Sequence, residues 1–504
     1  MIILGISSGF HDAAATVIKN NKIVFGGHAE RYSKNKNDAW LNKELIAEAY
    51  SHGKPDVIVL HENNKAKKLR SLISGDFNSV KELSQENWIK QFYPMLSDIP
   101  IKQYWHHETH AAAGVLTSQF NECAVMVIDA IGEFDTATIW QWKDKKLTKL
   151  HSTIYPSSLG LFYTAVTHRV GLKPMEDEYI LMGMAAYGNP IVASKLSRQM
   201  GRDFFKHAWA WHNPKQAVKM KKNLQKGMSK DMYAEHNDFD IAMAAQMQIE
   251  ERVLAYADYA KELTGSKNLV FMGGVALNCV ANSRLFEVGF DGVHIMPNPG
   301  DAGSSLGAAA LEYYNQTGKR VKWEGPYLGK NIPGPYPVKA ALKSLLNGEI
   351  FGIANGRAEF GPRALGNRSL CADPRGPEIK DRVNKIKKRQ EFRPFAPVIL
   401  EEHVHEYFEM PNNITSPYMQ FVARCKHPDK YPAIAHADGT SRVQTVSQAQ
   451  HPGLYMLLRE FYKATGCPMI LNTSLNIKGQ PIVNDLEDAA IFAKHYNLQV
   501  HTSD

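Results

Sequence analysis

Residues 124–140 read AVMVIDAIGEFDTATIW. An apolar run, residues 124–128, ends at Asp129, and Gly132 precedes a second β-rich run, residues 136–140. Short runs rich in Val, Ile, Thr and Trp, bounded by Gly and Asp, are typical of strands joined by a turn. The stretch therefore predicts a strand, a turn carrying a carboxylate, and a second strand.

The first thirty residues show the same pattern. Residues 2–6 and 13–18 predict two strands with Ser and Gly between them, and Asn20 and Asn21 predict a hairpin turn before a third strand at residues 23–25. Two such units with a polar residue at the turn indicate two related halves, as in the actin–hexokinase superfamily, whose hairpins cradle nucleotide phosphates.

The rest of the chain predicts further helices and a strand of the first domain and then a second α/β domain. Apolar spacing predicts helices near residues 65–92 and 241–263, and a strand at 269–272 meets Gly273 and Gly274 before a helix at 280–285. Residues 324–338, rich in Pro and Gly, are interpreted as the linker between the domains. Strand-like runs that follow, at residues 353–354, 398–400 and 469–471, alternate with helices. The predicted domains are residues 1–323 and 338–504.

Composition limits the class of protein. A chain of 504 residues with 44% hydrophobic content is too long for one ordinary core. No run of 18 apolar residues occurs, and the N-terminal residues lack the features of a signal peptide, so we expect a soluble, cytoplasmic protein with no membrane association. The five cysteines are widely spaced and form no C-x-x-C pair, which favours buried thiols over disulfides or a zinc site.

The net charge of +8 is concentrated in one segment. Residues 191–230 contain ten Lys or Arg against one acid, Asp203, so the rest of the chain is nearly neutral. Phe204, Phe205, Trp209 and Trp211 lie among these cations, and basic groups beside stacking rings are typical of polynucleotide binding. An amphipathic helical excursion with core aromatics and solvated lysines explains the pattern equally well.

A second basic stretch, residues 356–369, reads GRAEFGPRALGNRS. It holds Arg357, Arg363 and Arg368 among three glycines, and further cations follow at residues 387–389 and at Arg393. Guanidinium groups bind phosphate oxygens two at a time, and glycines let backbone N–H groups approach the same anion. The stretch indicates a phosphate site, with a solvated basic loop as the alternative.

A pair of histidines suggests a metal site. His106 and His110 lie four residues apart, so on a helix they share one face and can hold a divalent cation. The pair alone is weak evidence, because such spacing also occurs by chance. Asp301 sits on a Gly-rich turn before a small-residue helix and is a candidate third ligand. Two imidazoles and one carboxylate suit Fe(II), Mn(II) or Zn(II).

Ordered motifs along most of the chain resemble the O-carbamoyltransferases that modify antibiotics and nodulation factors. The first set resembles that family's Kae-type transferase domain and comprises residues 9–15, 106–111, 129–133, 160–167, 177–179 with 182–188, and 273–278; residues 180–181 depart from the family pattern, which usually has Lys-Val there. The second set resembles its YrdC-type adenylating domain and comprises residues 356–369, 384–389, 393–397, 438–446 and 472–483. The fold class implied is an actin–hexokinase-like, Kae-type α/β domain followed by an α/β YrdC-like domain.

The resemblance implies a two-step reaction. ATP, with Mg(II), and carbamoyl phosphate would form carbamoyl-adenylate in the second domain, and the first domain would pass the carbamoyl group to an acceptor hydroxyl. The residues implied in the second domain are Arg357, Arg363, Arg368, Lys387, Arg389, Arg393, Asn472, Thr473, Ser474 and Asn476. Those implied in the first domain are metal ligands His106, His110 and Asp301, catalytic residues His11, Asp12 and Asp129, and adenylate-binding residues Gly273, Gly274 and Asn278. Fe(II) is the favoured metal, and Asp129 is expected near the acceptor hydroxyl, where it could take a proton.

Three functions are compatible with the sequence. The acceptor hydroxyl can belong to a small molecule or sugar, or to a nucleotide or DNA base bound through residues 191–230. The third function is that of a non-catalytic nucleotide-binding regulator, which the full arginine, Asn-Thr-Ser and His/His/Asp sets argue against. A homodimer is also left open.

Overall fold

The computed structural model describes residues 1–74, 83–205, 227–390, 392–393, 395–412 and 414–504. The described chain divides into two compact units. The first comprises Met1–Gly9, Ala15–Lys22 and Ala49–Lys322. The second comprises Phe10–Ala14, Ile23–Glu48 and Trp323–Asp504, so it includes two segments from inside the predicted first domain.

Ten strands build the first two sheets. They are β1 (Ile2–Ser7), β2 (Ala14–Lys19), β3 (Lys22–His28), β4 (Val57–Leu60), β5 (Ile101–Gln103), β6 (Cys123–Ile128), β7 (Asp135–Lys143), β8 (Lys146–Ile154), β9 (Asn268–Met272) and β10 (Gly292–His294). The sheet orders are β3-β2-β1-β4-β5 and β10-β9-β6-β7-β8. Numbered within its own half, each sheet has the order 3-2-1-4-5. The two related halves predicted from the sequence are therefore present as a duplicated topology.

The pairing directions repeat as well. In the first sheet β1 runs parallel to β4, and β4 to β5. In the second, β6 runs parallel to β9, and β9 to β10, while β6 and β7 form an antiparallel hairpin. The central strands β1 and β6 are almost entirely buried, which explains their continuous apolar sequences.

The helices up to residue 317 are α1 (Glu30–Ser33), α2 (Lys43–Ser51), α3 (Asn64–Ser74), α4 (Gln85–Phe92), α5 (His106–Thr117), α6 (Leu159–Arg169), α7 (Glu178–Met184), α8 (Pro190–Met200), α9 (Asp238–Thr264), α10 (Cys279–Arg284) and α11 (Asp301–Thr317). The predicted helices near 241–263 and 280–285 correspond to α9 and α10. The predicted helical region near 65–92 contains α3 and α4, and its residues 75–82 lie outside the described chain.

Helix α11 packs at very close range. A Cβ added at Gly307 would lie 1.9 Å from the backbone oxygen of Thr109 on α5, and one added at Gly5 on β1 would lie 1.9 Å from that of Ser305 on α11. Only glycine permits such backbone approach. The small residues of the stretch after Asp301 therefore set the spacing between α11 and its two neighbours.

The second unit contains a large mixed sheet. Its strands are β11 (Tyr327–Ile332), β12 (Phe351–Ala354), β13 (Gly356–Glu359), β14 (Arg368–Ala372), β15 (Ala396–Leu400), β16 (Phe408–Glu409), β17 (Phe421–Cys425), β18 (Thr440–Val446), β19 (Met469–Ser474) and β20 (Val500–His501). The order of the eight-stranded sheet is β16-β17-β18-β15-β19-β14-β12-β20, and β11 pairs with β13. The predicted linker thus contains a paired strand.

The helices of this unit after residue 323 are α12 (Val338–Leu346), α13 (Ile379–Lys387), α14 (Val404–Tyr407), α15 (Pro452–Thr465) and α16 (Leu486–Tyr496). With β14, β15 and β19 buried at its centre, the sheet confirms the predicted α/β class of the second domain. All five cysteines of the chain are buried free thiols.

Candidate functional site

Three elements of the first unit bring their polar ends together. Helix α5 begins at His106, so His106 and His110 occupy its first two turns on one face. Asp129 directly follows β6, and Asp301 is the first residue of α11. The strand end and the two helix starts thus place four metal-ligating side chains at one point.

The four side chains converge within hydrogen-bond distance. Nε2 of His106 lies 3.2 Å from Oδ2 of Asp129 and 3.4 Å from Oδ1 of Asp301. Nε2 of His110 lies 3.1 Å and 3.4 Å from the same two oxygens, and the two Nε2 atoms are 3.1 Å apart. All four side chains are buried. Two imidazoles and two carboxylates that share one point form a donor set suited to a divalent cation.

The charges in this cluster reinforce one another. Burial lowers the pKa of His106, but the carboxylates of Asp301 and Asp129 outweigh it and leave the pKa well above its usual value. Burial and Asp301 raise the pKa of Asp129, but hydrogen bonds with His106 and His110 bring it below its usual value. The carboxylate of Asp129 is therefore ionised at neutral pH. The buried Nδ1 atoms of His106 and His110 have no hydrogen-bond partner among the described residues.

Glu133 holds the start of α5, a role that the sequence analysis missed. Its carboxylate accepts the backbone N–H of His106, with both oxygens at 3.2 Å, and the N–H of Asn63 at 2.6 Å. The side chain is 3% exposed. Trp105, the N-cap residue, offers no capping side chain. Glu133 therefore satisfies an unpaired helix donor at the first predicted ligand. Its place in the motif at residues 129–133 was the available signal.

A second polar pair beside the cluster was also missed. His61 and Glu62 follow β4, and the rings of His61 and His106 lie 5.3 Å apart. Glu62 accepts from Lys67 and Gln85, each at 2.7 Å. Burial lowers the pKa of His61 to about 4. The only sequence signal was a polar pair at the end of a buried strand.

The glycines predicted to approach a ligand lie beside Asp129. Gly273 has φ 92°, and a Cβ there would lie 2.2 Å from the backbone oxygen of Ile128. The N–H of Gly274 donates to Oδ1 of Asp129 at 3.3 Å. Asn278 instead exchanges amide hydrogen bonds with Gln246 and caps α10, so its polar atoms have structural partners.

Two of the predicted phosphate-binding arginines bind the backbone of the second unit. Arg368 is fully buried and donates to five backbone carbonyls, among them Asn355 at 2.8 Å and Lys330 at 2.9 Å. Arg357 donates to the carbonyls of Val24 at 2.6 Å, Leu328, and Gly329 at 3.3 Å. We therefore assign both arginines to holding the chain rather than to binding phosphate.

Other predicted residues gather around Lys387. Its Nζ donates to the backbone oxygens of Ser474 and Asn476 at 2.8 and 2.9 Å, and to Oδ1 of Asn476 at 2.5 Å. Burial, followed by the charges of Arg389 and Arg393, lowers the pKa of Lys387 well below its usual value. The Arg389 guanidinium stacks 3.8 Å from the centre of the Phe395 ring. Lys387, Arg389, Ser474 and Asn476 thus form one neighbourhood.

The loop that carries Arg363 meets Asn472, whose amide donates to the backbone oxygen of Ala364 at 3.2 Å. Asn472 also donates to Gln444 at 2.8 Å. In the register of the sheet, Thr473 on β19 lies opposite Leu370 on β14. The Nδ2 group of Asn472 therefore has its hydrogen-bond partners, whereas its Oδ1 is buried without a partner among the described residues.

The family models described as Carbamoyltransferase N-terminus and Carbamoyltransferase C-terminus match residues 2–310 and 342–502. The chain belongs to the carbamoyltransferase family. It is 33% identical to an uncharacterized Synechocystis protein over 97% of this chain and 93% of that one. It is 35% identical to nodulation protein NolO of Bradyrhizobium diazoefficiens over 76% and 75%, and 29% identical to nodulation protein NolNO of Sinorhizobium fredii over 97% and 80%. The family assignment made from the motifs is confirmed, and the protein is a transferase.

His11 and Asp12 of this carbamoyltransferase cluster with the second unit. Nδ1 of His11 lies 3.1 Å from Oδ2 of Asp12, and Asp12 has φ 51°. Their predicted catalytic role stays a prediction.

The basic segment is described only in part. Phe204 and Phe205 are buried against Phe162, as core aromatics are. Lys195 and Arg198 lie on the exposed face of α8. Trp209, Trp211 and the lysines between residues 206 and 226 lie outside the described residues. Within the described ranges, no helix of the carbamoyltransferase is long and apolar enough to span a bilayer.

Proposed function

We propose that the protein is an ATP-dependent O-carbamoyltransferase that uses carbamoyl phosphate and proceeds through carbamoyl-adenylate. The observation that carries the proposal is the buried convergence of His106, His110, Asp129 and Asp301 in a member of the carbamoyltransferase family. A non-catalytic regulator would have no use for four buried ionisable groups at one point, which are costly to desolvate.

The activation step belongs to the second unit in this proposal. Carbamoyl phosphate and water give carbamate and inorganic phosphate, and a carbamate oxygen then attacks the α-phosphorus of ATP. The bond from the α-phosphorus to the bridging oxygen breaks, and pyrophosphate leaves. Arg363, Arg389 and Arg393 offset the charge of the phosphates, and ATP would bring Mg(II). The pKa of Lys387 is lowered, and a phosphate beside it would favour its charged form. Thr473, Ser474 and Asn476 would offer hydrogen bonds.

The transfer step belongs to the first unit. The acceptor oxygen attacks the carbamoyl carbon, the bond to the adenylate oxygen breaks, and the products are the carbamate ester, AMP and a proton. His106, His110 and Asp301 would hold a divalent cation, Fe(II), Mn(II) or Zn(II), with Asp129 as a fourth ligand. Such a cation supplies Lewis-acid polarisation of the carbamoyl oxygen when bound. We place Asp129 with the ligands because Oδ2 lies between both imidazoles and Oδ1 accepts two backbone N–H groups.

We keep Gly273 and Gly274 as the place of the adenylate in the first unit on the strength of the family motif. Their N–H groups already donate to the carbonyl of Pro299 at 2.9 Å and to Oδ1 of Asp129 at 3.3 Å, so the glycines would offer close approach of the backbone rather than free donors. Asn278 has no part in the proposal, since Gln246 and the start of α10 occupy its amide.

For the acceptor, we propose a hydroxyl of a nucleotide or DNA base, with a sugar or small-molecule hydroxyl as the competing class. The first class depends on the basic segment, residues 191–230. If that segment binds a polynucleotide, replacing Lys219, Lys221 and Lys222 together should flatten the dependence of log affinity on log salt by about two to three units. Equal slopes for parent and triple variant contradict this acceptor class.

One experiment tests the proposed function. The protein is incubated with ATP, carbamoyl phosphate and a panel of acceptors that includes hydroxymethylated DNA, free sugars and aminoglycosides. Mass spectrometry then checks for replacement of a hydroxyl hydrogen by a carbamoyl group, and pyrophosphate is measured in parallel. Pyrophosphate release that requires carbamoyl phosphate, together with one modified acceptor, is the expected result. Carbamoylation that proceeds without ATP contradicts the proposal.

A further inference from the structure

Residues 361–367, here called the arginine loop, join β13 to β14 and carry Arg363. Almost every backbone group of the loop's second half is bonded to a side chain. The carbonyl of Leu365 accepts from Tyr327 and Gln444, each at 3.1 Å, and that of Gly366 accepts from Tyr336 at 3.0 Å. The loop is therefore held in one conformation rather than free to follow a ligand.

Glu359 fixes the end of the loop. Its Oε1 accepts three backbone N–H groups, from Leu365 at 2.8 Å, Asn367 at 2.9 Å and Arg368 at 3.2 Å. The side chain is 1% exposed. A buried carboxylate that accepts three N–H groups is a strong local clamp, because hydrogen bonds to a charged group are the strong ones.

The start of the loop is held by a residue more than three hundred positions earlier. Arg31, on α1, is 3% exposed, and its Nη2 donates to the carbonyl of Gly361 at 2.8 Å. The neighbouring Phe360 is fully buried, and its ring lies 5.2 Å from that of His28. Gly26 leaves room for the same ring, since a Cβ there would lie 3.1 Å from it. Segment 23–48 therefore packs on the arginine loop within the second unit.

Arg31 and Glu359 also complement each other in charge. Each is buried. Burial lowers the pKa of Arg31, and the charge of Glu359 opposes this shift, so the two clamps support one another. Arg31 holds the carbonyl of Gly361, two residues before Arg363. Glu359 holds the N–H groups that begin at Leu365, two residues after it.

We propose that Arg31 is a positioning residue for Arg363, and that segment 23–48 completes the site where carbamoyl-adenylate forms. The inference rests on the proposed function. Arg31 touches no substrate in this account. It fixes the backbone that aims the Arg363 guanidinium at the phosphates, so its removal should act only through Arg363.

The test measures pyrophosphate release by the full-length protein with ATP and carbamoyl phosphate. Arg31→Met should lower kcat/KM for ATP roughly tenfold, since it removes a hydrogen bond from a charged donor. Arg31→Lys, which keeps the charge and one donor, should recover part of the loss. Arg459→Met is the matched control: Arg459 is exposed on α15, 5.9 Å from the Tyr455 ring, and its replacement should change nothing.

A double-mutant cycle gives a readout that a merely structural role would not move. In an Arg363→Lys background with residual activity, Arg31→Met should add less than about a twofold further loss, because residues acting through one contact are not additive. Equal losses in both backgrounds overturn the inference. The inference is also overturned if Arg31→Met releases pyrophosphate at the parental rate while Arg363→Lys is impaired. Full activity of Arg363→Ala would instead count against the proposed role of the loop. Melting temperatures identify misfolded variants, for which Arg31→Lys replaces Arg31→Met in the cycle.

Discussion

The His/Asp cluster of the first unit and the arginine stretch of the second were predicted with the same kind of argument, yet they differ in what the fold does with them. His106, His110 and Asp301 meet at one point and face one another. Of the three arginines in residues 356–369, Arg357 and Arg368 are occupied by backbone carbonyls. The imidazole nitrogens and carboxylate oxygens of the cluster converge on one another, whereas a buried guanidinium, with five donors, readily serves the backbone.

The most severe test of the first cluster is Asp301→Asn. The variant keeps the shape of the side chain but loses its charge, so we expect no measurable transfer and a fall in metal affinity of more than about a hundredfold. Metal content after reconstitution and calorimetric titration measure the loss. Pyrophosphate release, which we propose to occur in the other unit, should stay at the parental level. Parental metal binding by the variant would show that the ligand set is wrong.

Arg368→Met tests whether this arginine belongs to the fold. Removing its guanidinium leaves buried carbonyls without donors, and we expect the free energy of unfolding to drop by about 3–5 kcal/mol. Urea unfolding measures the change. The exposed Arg459→Met variant, in the same unit, should unfold like the parent. A stable Arg368→Met variant that has lost only ATP binding would return this residue to the phosphate site.

A histidine of the second unit contrasts with those of the cluster. In His451, Nε2 lies 2.8 Å from Oδ1 of Asn367 and Nδ1 accepts from the N–H of Leu454 at 3.0 Å, so the ring is neutral. Burial lowers the pKa of His451 to about 4. In the unfolded chain this histidine takes up a proton near pH 6.5, whereas in the folded protein it does so only near pH 4. The free energy of unfolding therefore decreases between pH 6.5 and pH 4, by up to about 3 kcal/mol.

His451→Gln should remove this part of the pH dependence. Chemical unfolding at intervals between pH 4 and 7 should give a flatter profile for the variant than for the parent. A variant profile parallel to the parental one would mean that His451 is not held neutral.

Arg363→Ala and Arg389→Ala test the arginines that the fold leaves partly exposed. Each should weaken ATP-dependent pyrophosphate release by about 1.5–3 kcal/mol of transition-state stabilisation, with the unfolding free energy nearly unchanged. Steady-state kinetics at varied ATP measures the effect. The opposite pattern, loss of stability with normal kinetics, would place these residues with Arg357 and Arg368.

The smallest effect is expected at Glu133. Glu133→Ala removes the acceptor at the start of α5 and should lower metal affinity about tenfold, as loss of a supporting contact around a metal does. Glu133→Gln, which keeps one acceptor oxygen, should lose less. Glu122→Ala is the control, because that side chain is exposed and its ion pair with Lys143 at 3.4 Å is a surface one. Equal affinities for all variants would show that Glu133 does not position His106.

Local patterns predicted the strands and the shared helix face of His106 and His110, because both are short-range features, whereas the approach of Asp129 and Asp301 to this pair is a tertiary contact. The hydrophobic runs at β1 and β6 and the four-residue spacing of His106 and His110 are visible within a few positions. The roles of Arg31 and Glu133 were not, since each depends on a backbone group brought close only by the tertiary fold. The backbone contacts of Arg368 could not be read from the sequence for the same reason: its partners, from Lys330 to Asn484, are scattered in sequence.

The close packing of α11 places a constraint on how this chain can change over evolutionary time. A methyl group at Gly307 would force α11 away from α5, and with it Asp301 away from His106 and His110, although Gly307 carries no chemistry. Substitution there would separate the side chains of the His/Asp cluster as surely as loss of one of them. Variants that aim to change the acceptor should therefore keep Gly307 and Gly5, because the lack of a side chain at these positions sets the distance between α11 and its neighbours.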